Sequence, residues 1–169
     1  MDTGKLLIEA YGRIPELVHL ATDGLDTAGL TYRPEPGSNS IAWLVWHLSR
    51  VQDHHIAEIA GSNQLWADSA WADRTGINRG LTETGFGDDP SDVAALVPTS
   101  ADALVAYHSA VTEFTTHYLA GIDASELERI IDRSYDPPVS VGVRLVSVLS
   151  DNIQHAGQAR YLRGMIERL

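Results

Sequence analysis

The chain has no cysteine among its 169 residues. Disulfides, thiolate-ligated metal sites and a cysteine nucleophile are therefore excluded, and any thiol chemistry must use a thiol from outside. Lysine is almost as scarce, with Lys5 the single example, and no basic cluster offsets a formal net charge of −11. Phosphate-rich partners are held by clustered cations, so neither nucleic acid nor an anionic membrane surface is an expected partner. No apolar run approaches the roughly 18 residues that span a bilayer. The start, Met1 to Lys5, has no basic segment followed by an apolar one. A cytoplasmic location is the expectation that follows. What is present, 44% apolar and 21% charged residues, is ordinary for a globular protein, and the length fits one domain with its own core.

Along the chain the dominant signal is helical. Leu7, Tyr11, Ile14, Val18 and Ala21 recur at three- and four-residue steps, which predicts an amphipathic helix over 2–23, with Pro15 as a kink. Residues 24–40 form a connector dense in turn formers, and Ser38, Asn39 or Ser40 is placed to cap a second helix over 41–60 that Gly61 ends. Residues 61–97 have no clear period, and Trp66 and Trp71 are expected to pin this long loop to the body. A short helix begins near Asp88–Ser91. A third long helix is predicted over 100–120, capped by Ser100 and stopped by Gly121. Asp123 opens a short helical stretch to about Ile131. After Pro138 two patterns compete. Val139, Val141 and Val143 alternate as in a strand. Val141, Leu145, Val148, Asn152, His155, Ala159, Leu162 and Ile166 repeat as in a helix. The second explains more residues and gives a helix over 140–168 with room for an extended start.

Within these helices a few polar residues sit where a core stripe wants apolar ones. His47 lies among Trp43, Trp46 and Leu48, where a buried imidazole must hydrogen-bond or coordinate something. Asp151 and His155 are four apart, which stacks both on one helix face. If the three meet, two imidazoles and a carboxylate make a three-ligand metal site with an open position. The competing reading makes His47 a satisfied core histidine and Asp151 a helix cap paired with Gln154. His54 shares the face of His47 about 10 Å further along, too far to share an ion but able to line the same cleft. His54 or Asp53 is placed to assist proton removal. Arg50 and Arg160, each about one turn from a proposed ligand, are candidates for holding polar groups of a substrate. His19, His108 and His117 read as surface or structural residues.

Ser40–Leu48 and Gln154-His155-Ala156-Gly157-Gln158 resemble the two signature segments of the DinB-like superfamily. Trp71–Ile77 and Thr84-Gly85-Phe86-Gly87 resemble the middle loop of its mycothiol-dependent branch, which holds S-transferases and the N-terminal domain of maleylpyruvate isomerase. The resemblance covers nearly the whole chain. It implies an all-α, up-and-down four-helix bundle in a single domain, with a long loop between helices two and three. It also implies a divalent metal held by His47 and His155, with Asp151 at a position that is histidine in many relatives. Such a ligand set suits Zn²⁺, with Ni²⁺, Fe²⁺ or Mn²⁺ as alternatives. The implied activity is a thiol S-transferase. Its metal would activate mycothiol or a related small thiol as a thiolate for attack on an electrophilic small molecule. Thiol-dependent isomerisation and metal-assisted hydrolysis are the catalytic alternatives, and a metal-binding bundle without turnover, alone or as a homodimer, is the non-catalytic one.

Overall fold

Side-chain caps set where the helices begin. The structure, a computed structural model, describes residues 2–169. Asp2 accepts from the Lys5 backbone N–H and opens α1 (Thr3–Tyr11), and α2 (Ile14–Thr22) follows with Pro15 in its first turn. The single kinked helix expected over 2–23 is thus two helices. The break falls at Gly12–Arg13, because Pro15 is placed where its missing N–H costs no helical hydrogen bond. After α3 (Thr27–Thr31), Ser40 accepts from Trp43 N–H and starts α4 (Ile41–Ala60), which Gly61 ends in the left-handed conformation.

The long loop then holds a 3₁₀ turn (Leu65–Ala67), α5 (Ser69–Thr75) and α6 (Pro90–Ala95), the last opened by a reciprocal Asp89–Asp92 capping box. Ser100 caps α7 (Ala101–Ala120), and α8 (Ala124–Leu127) is a single turn. Of the two patterns read after Pro138, the helix holds, and the strand holds only at its start, with Val141 and Val143 already helical. Val139–Ser140 forms β2, paired antiparallel with β1 (Ile130–Asp132), and Ser140 then caps α9 (Val141–Ile166). Asp151 therefore lies in mid-helix and caps nothing.

The expected four-helix bundle, with its long loop between the second and third members, is what the chain adopts, but without strict up-and-down alternation, since the second and third members run parallel. It is built from α1/α2, α4, α7 and α9, with α9 packed on α4 and α2, and α7 packed on α4 and α1. Cross-helix contacts give the directions. His47 meets Asp151 while His55 meets Arg144, so α4 and α9 are antiparallel. Ser49 meets His108 while Gln52 meets Thr115, so α4 and α7 are parallel. Tyr11 meets the Leu145 carbonyl while Arg160 and Arg163 meet those of Leu20 and Asp23, so α2 and α9 are parallel. The 40-residue connection makes the parallel α4–α7 pair geometrically accessible, as a short turn would not.

A polar chain crosses the middle of the core. Asn152 donates to Gln52 at 2.5 Å, and Gln52 donates to Thr115 at 2.7 Å. All three are buried. Buried amides are costly unless paired, so this chain fixes the register of α9 on α4. It thereby fixes where Asp151 stands relative to His47. Trp66 is buried against Trp46 and Tyr107, as its expected anchoring role requires.

Candidate metal centre

His47 lies two turns into α4, and Asp151 and His155 lie one turn apart near the middle of α9. The fold brings the three together, with one ligand atom from each within 4.8 Å of the others. Asp151 Oδ2 is 3.8 Å from His47 Nε2, and Asp151 Oδ1 is 3.4 Å from His155 Nε2.

The outward-facing ring nitrogens are fixed by their own partners. His47 Nδ1 lies 2.5 Å from the Thr84 carbonyl, which can only accept, so Nδ1 carries the proton and Nε2 presents its lone pair. His155 Nδ1 lies 2.9 Å from Gln158 Oε1, and the same logic turns its Nε2 toward Asp151. Trp43 stacks on the His47 ring at 4.5 Å and is itself held by donation to Asp88. Oriented imidazoles of this kind are what metal ligation uses.

Three electron-rich atoms therefore converge with no donor among them, and Asp151 Oδ2 is buried without a hydrogen-bond partner. A buried, unpaired carboxylate oxygen is costly, and a cation at the convergence point would relieve it. The donor set fits a divalent ion of the Zn²⁺ type. Burial pushes His47 below the ordinary imidazole range against opposing pulls from Thr84 and Asp151, which keeps it neutral as a ligand must be. For His155, burial is the largest single influence and lowers the pKa. Asp151 and Gln158 together outweigh it and the net shift is upward.

The cluster opens into a cleft of about 380 Å³ between α4 and α9. Its floor follows His47, Val51 and His55 on α4 and Asp151, Val148 and Arg144 on α9, with Phe86 and Tyr135 at the rim.

Four residues expected to serve the reaction, Asp53, Arg50, His54 and Arg160, do not line this cleft. Asp53 and Arg50 are fully buried. Asp53 accepts from the backbone N–H groups of Leu65 and Trp66 and from the Tyr107 hydroxyl, at 2.7–2.9 Å. Arg50 donates to Asp53, Tyr107, Gln64 and the carbonyl of Leu81. Bonded in this way, the buried pair anchors the long loop. His54 contacts Gln64 in a separate shallow pocket, and His55 is the residue that reaches the cleft. Arg160 holds the Leu20 carbonyl.

Thr84 and Gly85 were not legible as site residues. Thr84 acts through its backbone carbonyl, which has no side-chain signature. Gly85 has φ +92°, and a Cβ there would lie 2.9 Å from His47 Nδ1 and 3.0 Å from Trp43. The Gly85-Phe86-Gly87 spacing was the one available hint that the backbone comes this close.

Residues 10–159 match the model of the DinB superfamily. A solved structure of a conserved protein from Enterococcus faecalis shares 30% identity with a TM-score of 0.88, over 96% of each chain. No curated protein matches the chain. Ligand geometry, helical architecture and a family match over most of the sequence agree, and the chain belongs to the DinB superfamily, whose members bind metals and are often metal-dependent enzymes.

Proposed function

We propose that this protein is a metal-dependent thiol S-transferase that uses mycothiol or a related low-molecular-weight thiol. One observation carries the reading: three converging, donor-free ligand atoms, one of them an unpaired buried carboxylate oxygen, border a cleft large enough for small substrates. His47, Asp151 and His155 would hold the ion, Zn²⁺ by ligand type. A divalent metal there lowers the pKa of a bound thiol, so that a nucleophile is available at neutral pH.

The chain's own residues do the rest. Thr84 and Gln158 hold the imidazoles in the ligating tautomer, and Trp43 keeps the His47 ring flat against its own. The apolar cleft wall excludes water from the electrophile's body, while the open mouth lets the thiol proton pass to solvent. In the reaction a sulfur–carbon bond forms and the leaving group departs with the carbon's former bonding pair. Because the chain has no cysteine, the sulfur must come from the small thiol.

The test is thiol consumption with a model electrophile such as 1-chloro-2,4-dinitrobenzene, on zinc-loaded wild type and on Asp151→Ala. Turnover with the wild type and its loss in the variant are expected. Wild-type protein that binds metal yet consumes no thiol, with mycothiol or any other small thiol offered, would refute the transferase reading. Ester hydrolysis by the same protein would then favour a metal-assisted hydrolase.

A further inference from the structure

The cleft beside the ligand cluster has a single cation in its lining, Arg144, and that cation is poorly matched. Its Nη1 lies 3.0 and 3.3 Å from the two ring nitrogens of His55, a neutral partner whose pKa is lowered by burial and by Arg144 itself. The nearest carboxylate, Asp132, is 3.8 Å from Nη2, beyond hydrogen-bond distance. The other oxygen of Asp132 already accepts from the Ser134 N–H and hydroxyl. Among the described residues, neither Nε nor Nη2 of Arg144 has a hydrogen-bond acceptor. Yet the side chain is only 17% exposed. By contrast, the fully buried Arg50 meets five oxygen partners.

The position of this cation has a consequence for ligand shape. Arg144 and Asp151 are seven residues apart on one helix, about 10 Å along the axis. Between them the wall is Val148 and Ser147 on α9, with Val51 facing from α4. The cleft thus has the ligand cluster at one end, an apolar floor, and an underused guanidinium at the other. Arg144 also sits in the first turns of the 26-residue α9, where the helix dipole adds to its attraction for an anion. In a protein of net charge −11, long-range forces repel anions, so an anionic ligand needs such a local fork.

We infer that the electrophile of the proposed reaction is a small amphipathic carboxylate. Its carboxylate pairs with Arg144, its apolar body lies on the valine floor, and its reacting carbon faces the ligand cluster. This inference rests on the transferase reading for the word electrophile, but the binding site itself does not depend on turnover.

The probe is 4-phenylbutyrate, compared with uncharged 4-phenylbutan-1-ol, by isothermal titration calorimetry. Both metal-stripped and zinc-loaded proteins are titrated, so that carboxylate binding to the ion is read separately. The metal-stripped wild type is expected to bind the acid more tightly than the alcohol. Arg144→Gln should weaken acid binding about tenfold to a hundredfold and leave the alcohol unchanged. Arg144→Lys should fall between them, keeping the charge and losing the fork. Ser147 is exposed and one turn from Arg144, so Ser147→Asp supplies an internal carboxylate without disturbing the core. It should remove the preference for the acid even if Arg144→Gln fails to fold. Equal binding of acid and alcohol to the wild type would overturn the inference. So would acid binding that requires zinc and ignores both substitutions. Acid selectivity without thiol consumption would refute the transferase reading alone, and thiol consumption without acid selectivity would refute this inference alone.

Discussion

Two polar clusters lie about one turn apart on α4, and they differ in one respect. In the Arg50–Asp53–Tyr107 cluster every donor meets an acceptor. In the His47–Asp151–His155 cluster three acceptors meet one another. The first is fully buried, and Arg50 lies 5.2 Å from the centre of the Trp66 ring. The second borders a cleft, with the Asp151 side chain 33% exposed. Satisfied polar networks hold structure, and unsatisfied ones at a cleft wait for a ligand. The contrast also shows how one serves the other. Arg50 holds the carbonyls of Leu81 and Glu83, and the next residue, Thr84, turns its carbonyl to His47. The closed cluster thus positions the loop that orients the open one.

The largest break in this contrast should come from the closed side. Asp53→Ala leaves the Arg50 guanidinium buried without its counter-charge, and urea denaturation should show a loss of about 3–5 kcal/mol. The next effect depends on pH. His108 is fully buried on the same α4–α7 interface, and burial pushes its pKa down from 6.5 to about 4. The folded protein therefore refuses a proton that the unfolded chain accepts. This stability is fully present above about pH 6.5 and is lost as pH falls through about 4, a change of roughly 3 kcal/mol. Denaturation of wild type and His108→Gln between pH 7 and 4 should give a shallower slope for the variant.

The link between the clusters is tested by Gly85→Ala. A side chain at φ +92° is strained, and it also pushes on His47 and Trp43. The expected cost is about 1–3 kcal/mol, with zinc affinity falling about 10–100-fold because the ring loses its orienting carbonyl. Competition against a chromogenic chelator would measure that fall. The smallest stability effect belongs to the open side. Asp151→Ala in metal-free protein should change the unfolding free energy by less than about 1 kcal/mol, since its Oδ2 has no partner and its Oδ1 meets only the partly exposed His155 pair at 3.4 Å. A loss as large as that of Asp53→Ala would erase the distinction between the clusters.

The sequence carried the bundle well because caps and stripes are local signals. Ser40, Gly61, Ser100 and the α9 repeat mark the elements they were read to mark. The separation of α1 from α2 was hidden, since the stripe of Leu7, Tyr11, Ile14, Val18 and Ala21 keeps its helical period across the break. At the site, the i,i+4 pair on α9 and the His inside the α4 stripe were visible as chemistry out of place. His55 and not His54 lines the cleft, for a geometric reason. His47, Val51 and His55 follow an i,i+4 ridge, and the neighbouring helix packs along such ridges and not straight down the face. The burial of Arg50 and Asp53 was not legible because residues 64–83, which bond them, have no periodicity to announce where they wrap.

The central claim is that three residues from α4 and α9 form one metal site. The most direct measurement is metal content by elemental mass spectrometry on tag-free protein after reconstitution with Zn²⁺, for wild type, His47→Ala and Asp151→Ala. About one ion per wild-type chain, lost in both variants while each remains folded, is the predicted result. A folded wild type that stays empty, or variants that keep their full metal, would contradict it.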